Sequence, residues 1–248
     1  MIVGSLVWRL VNYGPLPTFK YLINHFSQNQ FVGVKNATLI KTCHDLDDFL
    51  ELPPGVSNSE IELIRTQINN YESNLRIEFP HIKIKEIFGP NLSINRLLII
   101  RLLIKTGNYN HFIETGTQFG LSAFIANESK RNLKNRFSIL SLDVCKSFFL
   151  PCEEVIYQLL KWPVRRNFEK IFPLYRLQDS IIFFHDSDHS YENMTYEFNL
   201  VWGFTNIRCL ISDDVENNNA FNLFCERNNL TPILLKIDKG PTVGFILR

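Results

Sequence analysis

Apolar residues follow two different rhythms along this chain, one before and one after residue 90. In the first part a single set recurs at steps of three and four: Ile61, Ile64, Ile68, Tyr71 and Leu75. This spacing predicts one amphipathic helix, and Ser57 with Glu60 three residues later has the pattern of its capping box. Residues 1–90 are therefore expected to form a partly helical N-terminal appendage.

From residue 91 onward, short apolar runs alternate with helical patterns. The runs expected to be strands are His111 to Glu114, Phe137 to Asp143, Ser180 to Asp186 and Arg208 to Asp214. The expected helices are Leu97 to Ile104, Leu121 to Leu133, Cys152 to Leu160, Tyr191 to Trp202 and Glu216 to Asn228. Such alternation predicts a parallel sheet with helices on both faces.

The end of the chain differs from this alternation. Its last two runs, Pro232 to Ile237 and Thr242 to Leu247, are joined by residues 238–241 alone. That connection is too short for a crossover helix and predicts an antiparallel hairpin. The predicted fold class is α/β: a doubly wound, Rossmann-like and mostly parallel sheet that ends in an antiparallel hairpin. We expect residues 91–248 to form this domain.

Composition limits the classes of partner. With 26 Lys+Arg against 25 Asp+Glu, the net charge is +1, so no overall field attracts nucleic acid. The strongest apolar run, Leu97 to Ile104, contains Arg101 and is too short to cross a bilayer. Five cysteines without a C-x-x-C pair indicate reduced thiols, and the first residues lack a signal-peptide pattern, so we expect a cytoplasmic protein.

A glycine-containing turn follows the first predicted strand. Gly116 and Gly120 lie between that strand and a helix that begins near Leu121, and glycines at such a turn allow a ligand close to the backbone. Their spacing does not match G-x-G-x-x-G. Asp143 ends the next run, where nucleotide-binding folds place an acid on ribose hydroxyls. The two features together favour an adenosine-containing ligand, although a single Asp could equally cap a loop.

Three carboxylates follow the next two predicted strands. Asp186 ends one run, and Asp213 with Asp214 ends the other. Because parallel strands end at a common edge, these side chains are expected to converge. Their mutual repulsion would be relieved by a hard divalent cation, Mg²⁺, Mn²⁺ or Ca²⁺. The alternative is that some of these acids cap the helices that follow.

These residues resemble a known family. The sequence from Arg96 to Arg248 is similar to a bacterial group of class I S-adenosylmethionine-dependent methyltransferases, related to the metal-dependent O-methyltransferases of sugars and macrolides. The stretches that carry the resemblance are FIETGTQFGLSAFIA, LSLDV, IIFFHDSDHSYENMTYEF and CLISDDVENNNAF. HDSDHSYE followed by SDDV is the most specific of them.

The resemblance implies a set of site residues. Residues implied to surround the S-adenosyl-L-methionine cofactor are Glu114, Gly116, Gly120 and Asp186, with Asp143 on its ribose. Asp186, Asp213 and Asp214 are implied to hold a divalent metal, Mg²⁺ or Mn²⁺. His189, three residues after Asp186, stands where related enzymes have their catalytic base. One departure is Arg166-Asn167, where relatives have a Gly-Asp pair near the adenine.

The expected function is methyl transfer to the oxygen of a small-molecule or glycan acceptor. Two other classes remain open: an inactive methyltransferase-like scaffold, and a nicotinamide-dependent oxidoreductase, which should carry the tighter glycine fingerprint. The appendage is expected to pack on the main domain; covering the substrate or forming a homodimer is its alternative role.

Overall fold

Eight strands form one sheet in this computed structural model, which describes residues 42–43, 58–80, 94–130, 137–145, 149–150, 152, 154–161, 164–235 and 241–248. The strands are β1 Thr42–Cys43, β2 His111–Thr115, β3 Ser138–Asp143, β4 Val155–Leu159, β5 Ile181–His185, β6 Ile207–Ser212, β7 Ile233–Leu235 and β8 Val243–Leu247. They lie in the order β1-β7-β8-β6-β5-β2-β3-β4. Only β8 runs antiparallel to its neighbours β6 and β7 among these described strands. The predicted fold class is confirmed.

Six helices are described between the strands. They are α1 Asn58–Glu78, α2 Ile94–Thr106, α3 Leu121–Lys130, α4 Val164–Glu169, α5 Tyr191–Trp202 and α6 Ala220–Arg227. A short 3-10 turn, Phe172–Leu174, follows α4. Within the described ranges no helix is both long and apolar enough to cross a membrane.

The sheet separates two hydrophobic layers. Side chains of successive strand residues point to opposite faces, so Phe112 packs with α1, α2 and α3 on one face, whereas Ile113 packs with α4, α5 and α6 on the other. Phe184 and Phe183 of β5 divide in the same way. All four are fully buried. Because helices cover both faces, the sheet is accessible at the ends of its strands.

Helix α1 belongs to the same compact unit as the sheet. This unit extends from Lys41 to Arg248, and the predicted helical residues, from Ile61 to Leu75, are buried against it. The predicted packing role is thus observed for α1. Ser57 and residues 1–40 lie outside the described residues. Glu60 accepts hydrogen bonds from Arg101 and Lys105 of α2, each at 2.5 Å.

One element was predicted wrongly. The segment from Cys152 to Leu160, expected to be a helix, contains strand β4, which pairs in parallel with β3. Val155, Ile156 and Tyr157 are β-branched or aromatic and suit a pleated strand. Ile156 and Leu159 are 62% and 50% exposed at this outermost position. The spacing of these two residues fits a helical stripe as well as a strand. The segment forms a strand because the edge of β3 is free to pair with it.

Replacing Glu60 by Ala should destabilise the protein through Arg101, because the change leaves that guanidinium, 7% exposed, without its carboxylate partner. We expect a loss of about 2 to 3 kcal/mol in the free energy of unfolding, measured by urea denaturation. The matched control is Glu62→Ala. The Glu62–Arg65 pair lies on the exposed face of α1, at 65% and 54% exposure, and its loss should cost about 1 kcal/mol or less. Equal losses for the two variants would contradict this interpretation.

Candidate functional site

The carboxyl ends of four central strands lie level with one another. In the parallel register, Thr115 of β2 pairs with Leu142 of β3 on one side and with His185 of β5 on the other. His185 in turn pairs with Ser212 of β6. The residues that follow each strand therefore begin at the same edge of the sheet.

The hydrogen-bond ladder continues one residue beyond these strands. The Gly116 N–H donates to the Leu142 carbonyl at 2.8 Å, and the Asp186 N–H donates to the Thr115 carbonyl at 2.9 Å. The Asp213 N–H donates to the His185 carbonyl at 3.1 Å. The backbone thus fixes the glycine turn and two of the predicted acids side by side, as the sequence predicted.

Gly116 and Gly120 both require the absence of a side chain. Gly116 has φ +93°, and a Cβ there would lie 2.0 Å from the Asp186 carbonyl oxygen. Gly120 has φ +67°, and its Cβ would meet Phe149 at 2.9 Å and the Tyr71 hydroxyl at 3.2 Å. Positive φ at these values strains any other residue. Both glycines are therefore needed for the packing of the turn against its own chain.

Helix α1 contributes a residue to the turn that the sequence did not single out for the site. The buried Tyr71 hydroxyl donates to the Phe119 carbonyl at 2.5 Å and accepts from the Leu150 N–H at 3.1 Å. One hydroxyl therefore joins the glycine turn to the segment that follows β3. In the sequence Tyr71 is indistinguishable from the other apolar residues of the helical stripe.

Asp143 lies beside the glycine turn at the end of β3. Its Oδ2 accepts from the Gln118 N–H at 3.0 Å, and its Oδ1 accepts from the N–H groups of Val144 and Cys145 at 2.7 and 3.1 Å. These contacts are those of a loop cap. They also orient a half-buried carboxylate whose two oxygens offer about four acceptor positions, so capping and ribose binding are compatible at this residue.

Glu114 is fully buried directly before the turn. Its two carboxyl oxygens contact the Ser122 and Ser141 hydroxyls, each at 2.5 Å. Burial raises the pKa of Glu114 to about 7, although the two serine hydrogen bonds act in the opposite direction. Glu114 therefore supports the turn from beneath as a carboxyl group that titrates near neutral pH.

The predicted acids converge, and an arginine lies among them. A single nitrogen of Arg96, on the first turn of α2, contacts Asp186 Oδ2 at 2.8 Å and Asp213 Oδ2 at 2.6 Å. Burial and the neighbouring carboxylates raise the pKa of Asp186 well above its usual value, although Arg96 lowers it. Burial, Asp213 and Glu216 raise the pKa of Asp214 to about 6. The site concentrates acids beyond what one arginine neutralises.

The expected divalent metal does not fit this arrangement. A metal bound by Asp186 and Asp213 would take oxygens at about 2.0 to 2.6 Å, and the Arg96 nitrogen already lies between one oxygen of each. Within the described part of the chain, no set of three or more His, Cys, Asp or Glu side chains is arranged to hold a metal. The sequence identified the repulsion among the acids correctly but overlooked Arg96 as a cation that relieves it.

His189 lies beside the same acids. Its Nε2 is 3.9 Å from Asp186 Oδ1, and its Nδ1 is 3.9 Å from Asp214 Oδ2. The ring is 20% exposed and immediately precedes Ser190, the N-cap residue of α5. The predicted proximity of His189 to Asp186 is thus observed, with both ring nitrogens directed toward carboxylates.

A buried carboxylate beneath the site was missed. Glu197 of α5 accepts from Thr115 at 2.7 Å, His185 at 2.8 Å, Ser187 at 2.9 Å and Asn193 at 3.0 Å. Although burial raises its pKa, the His185 interaction and these hydrogen bonds hold it below the usual value. The sequence does contain a signal for Glu197, because it is an acidic residue on the apolar face of α5, beside Met194 and Phe198. Glu197 fixes the ends of β2 and β5 to α5.

Arg166 and Asn167, the expected departure near the adenine, lie inside α4 rather than at a strand end. Strand β4 ends at Leu159, so Leu160 and Lys161 are the residues that follow it. The Asn167 amide donates to the Lys161 carbonyl at 2.8 Å. Arg166 and Asn167 are therefore reached only within the next helix and do not directly follow a strand.

Comparisons with known proteins give matches among solved structures. No family model matches the chain, and no curated protein matches it. The O-methyltransferase from Bacillus cereus in complex with SAH is 14% identical, covers 82% of this chain and 96% of its own, and has a TM-score of 0.47. TomG from Streptomyces achromogenes is an O-methyltransferase involved in tomaymycin synthesis. It is 13% identical, covers 80% of this chain and 93% of its own, and also has a TM-score of 0.47. Similarity at this level does not establish a shared activity.

A third match is CalS11, a TDP-rhamnose 3'-O-methyltransferase of calicheamicin biosynthesis. It is 12% identical, covers 78% of this chain and 96% of its own, and has a TM-score of 0.47.

Glu114→Gln should change how stability depends on pH. A carboxyl group whose pKa is raised from 4.5 to about 7 on folding contributes stability below pH 4.5 and loses it as the pH rises through 7. The variant lacks this loss, so its stability relative to the wild type should rise by about 2 to 3 kcal/mol between pH 5 and pH 8. Urea denaturation at the two pH values measures the difference. Glu62→Gln, on an exposed face, should show no such change, and a pH-independent difference for Glu114→Gln would disprove the assignment.

Proposed function

We propose that this protein transfers a methyl group from S-adenosylmethionine to a hydroxyl of a small or sugar-like molecule. One observation carries the proposal: adjacent parallel strands deliver a glycine turn, an oriented carboxylate and a histidine to one edge of the sheet. In open α/β sheets ligands bind outside the carboxyl ends of the strands. The order of the strands, with a terminal antiparallel hairpin, supports this choice over the ordinary dinucleotide fold.

The cofactor side of the site is assigned to the glycine turn and Asp143. Asp143 is oriented by three backbone N–H groups and would accept a ribose hydroxyl at the remaining acceptor position of Oδ2. Gly116 and Gly120, held by Asp186 and by Tyr71 with Phe149, keep the backbone of the turn in its positive-φ shape. Glu114 would stabilise the turn from below. S-adenosylmethionine, when bound, supplies the methyl group from its sulfonium and is left as the thioether.

His189 is assigned as the base. During methyl transfer, the His189 imidazole would accept the proton of the acceptor hydroxyl. The charge that the ring gains would lie beside Asp186 and Asp214, each 3.9 Å away, which favours proton transfer in this direction. Alignment of the two reactants would supply most of the remaining acceleration.

The assignment of a small or sugar-like acceptor rests on the sequence resemblance alone.

The two alternatives to methyl transfer predict different ligands at this site. A nicotinamide-dependent oxidoreductase would bind a dinucleotide, for which the Gly116 and Gly120 spacing is unsuited. An inactive scaffold would bind no cofactor at this edge.

Calorimetry with S-adenosylmethionine, S-adenosylhomocysteine and NAD tests the cofactor assignment. The two sulfur ligands should bind and NAD should not. Asp143→Asn, which keeps one acceptor oxygen for the loop, should weaken binding by roughly ten- to a hundredfold, because a charge-assisted hydrogen bond is worth about 1.5 to 3 kcal/mol. Asp179→Asn is the control: Asp179 lies beside His111 at the opposite edge of the sheet, and its loss should leave affinity unchanged. A folded protein that gives no heat with either sulfur ligand would favour the scaffold.

His189→Ala should lower kcat by about 10² to 10⁴ and leave cofactor affinity nearly unchanged. Transfer of labelled methyl groups to fractionated small molecules identifies an acceptor for this assay. His111→Ala is the matched control, because His111 is as exposed, at 19%, but lies at the other edge. His185 is fully buried against Glu197, so His185→Ala should lose stability instead. Near-normal turnover of His189→Ala would remove His189 from the role of base.

A further inference from the structure

The position of Arg96 among the acids calls for a chemical explanation. A long cationic side chain rarely lies in the interior, and Arg96 is only 16% exposed. It begins on a helix whose following residues, from Leu97 to Ile100, are fully buried. The packing of α2 therefore directs the guanidinium to the edge of the sheet and restricts it there.

The contacts of this guanidinium are those of a bridging cation. One nitrogen donates both of its hydrogens, one to Asp186 Oδ2 and one to Asp213 Oδ2. A divalent ion that used the same two oxygens would have to displace the guanidinium, because Arg96 already occupies them. Although burial lowers the pKa of Arg96, the carboxylates of Asp186, Asp213 and Asp214 raise it above its usual value, so the guanidinium remains charged.

Unused ligand capacity remains around the arginine. Asp213 Oδ1 is buried and has no hydrogen-bond partner among the described residues, and Asp214 adds a further carboxylate at the same strand end. Among the described residues these three side chains are not arranged as a metal site, but their oxygens are of the kind that a hard cation prefers once the guanidinium is removed. Arg96 occupies the central position of such a site, between Asp186 and Asp213.

We propose that Arg96 is the resident cation of this acid cluster and excludes a divalent metal from it. The protein therefore supplies, from its own chain, the positive charge that a metal supplies in metal-assisted transfer. This inference rests on the methyl transfer proposed above. In that transfer the acceptor proton passes to His189, and no metal activates the acceptor oxygen.

Metal binding by the whole folded chain tests the proposal without any methyl acceptor. Mn²⁺ is titrated into wild type, Arg96→Ala and Arg96→Lys, with free Mn²⁺ followed by electron paramagnetic resonance. Wild type should show no saturable binding below about 1 mM. Arg96→Ala removes the competing charge and should bind one Mn²⁺ at least tenfold more tightly, whereas Arg96→Lys keeps a cation and should behave as the wild type. Arg96→Gln, which keeps the length of the side chain, replaces the alanine variant if that does not fold.

The double variant Arg96→Ala, Asp213→Asn should lose the acquired Mn²⁺ binding, which locates the ion at these carboxylates. Tight binding by the wild type that Asp213→Asn abolishes would overturn the proposal, and so would failure of every folded neutral Arg96 variant to bind. Cofactor calorimetry on the same samples separates the two hypotheses. If Mn²⁺ binds as expected but S-adenosylmethionine does not, the charge assignment stands and the methyl-transfer function fails.

Discussion

The structure depends on parallel strands that end in register and place carboxylates beside one another. Hydrogen bonds from the Asp186 and Asp213 N–H groups extend the ladder past β5 and β6, so these residues cannot separate without breaking the central sheet. Two unit charges about 5 Å apart repel by roughly 3 kcal/mol at an effective dielectric constant of 20. Burial adds to this cost. Positive charge at the same strand ends offsets this repulsion.

Helix α2 provides that positive charge, and two other elements complete the site. Helix α2 brings Arg96 to the two acids, the turn before α5 brings His189, and the buried Glu197 holds β2, β5 and α5 together below them. Helix α1 fixes the neighbouring glycine turn through Tyr71. The site is therefore assembled from both helical layers, although the strand ends determine where it lies.

Sequence patterns predicted the parts of the fold that repeat. The apolar runs, the hairpin and the convergence of Asp186 with Asp213 follow from periodicity and from the geometry of parallel sheets. Strand β4 was mistaken for a helix because its apolar spacing suits both structures. Arg96 and Glu197 were missed because each lies within an apolar helical pattern, and only the tertiary arrangement shows which buried charge meets which partner.

The close contact of Gly116 with the Asp186 carbonyl limits which residues position 116 can accept. A methyl group at position 116 would lie within 2.0 Å of that oxygen, so even alanine would displace the backbone that carries the acid. The glycine turn and the acid cluster are consequently coupled through this backbone contact. A library that randomises both loops would recover functional combinations around a fixed glycine, whereas Gln118, exposed two residues away but at φ +46°, would accept mainly residues that tolerate a left-handed backbone.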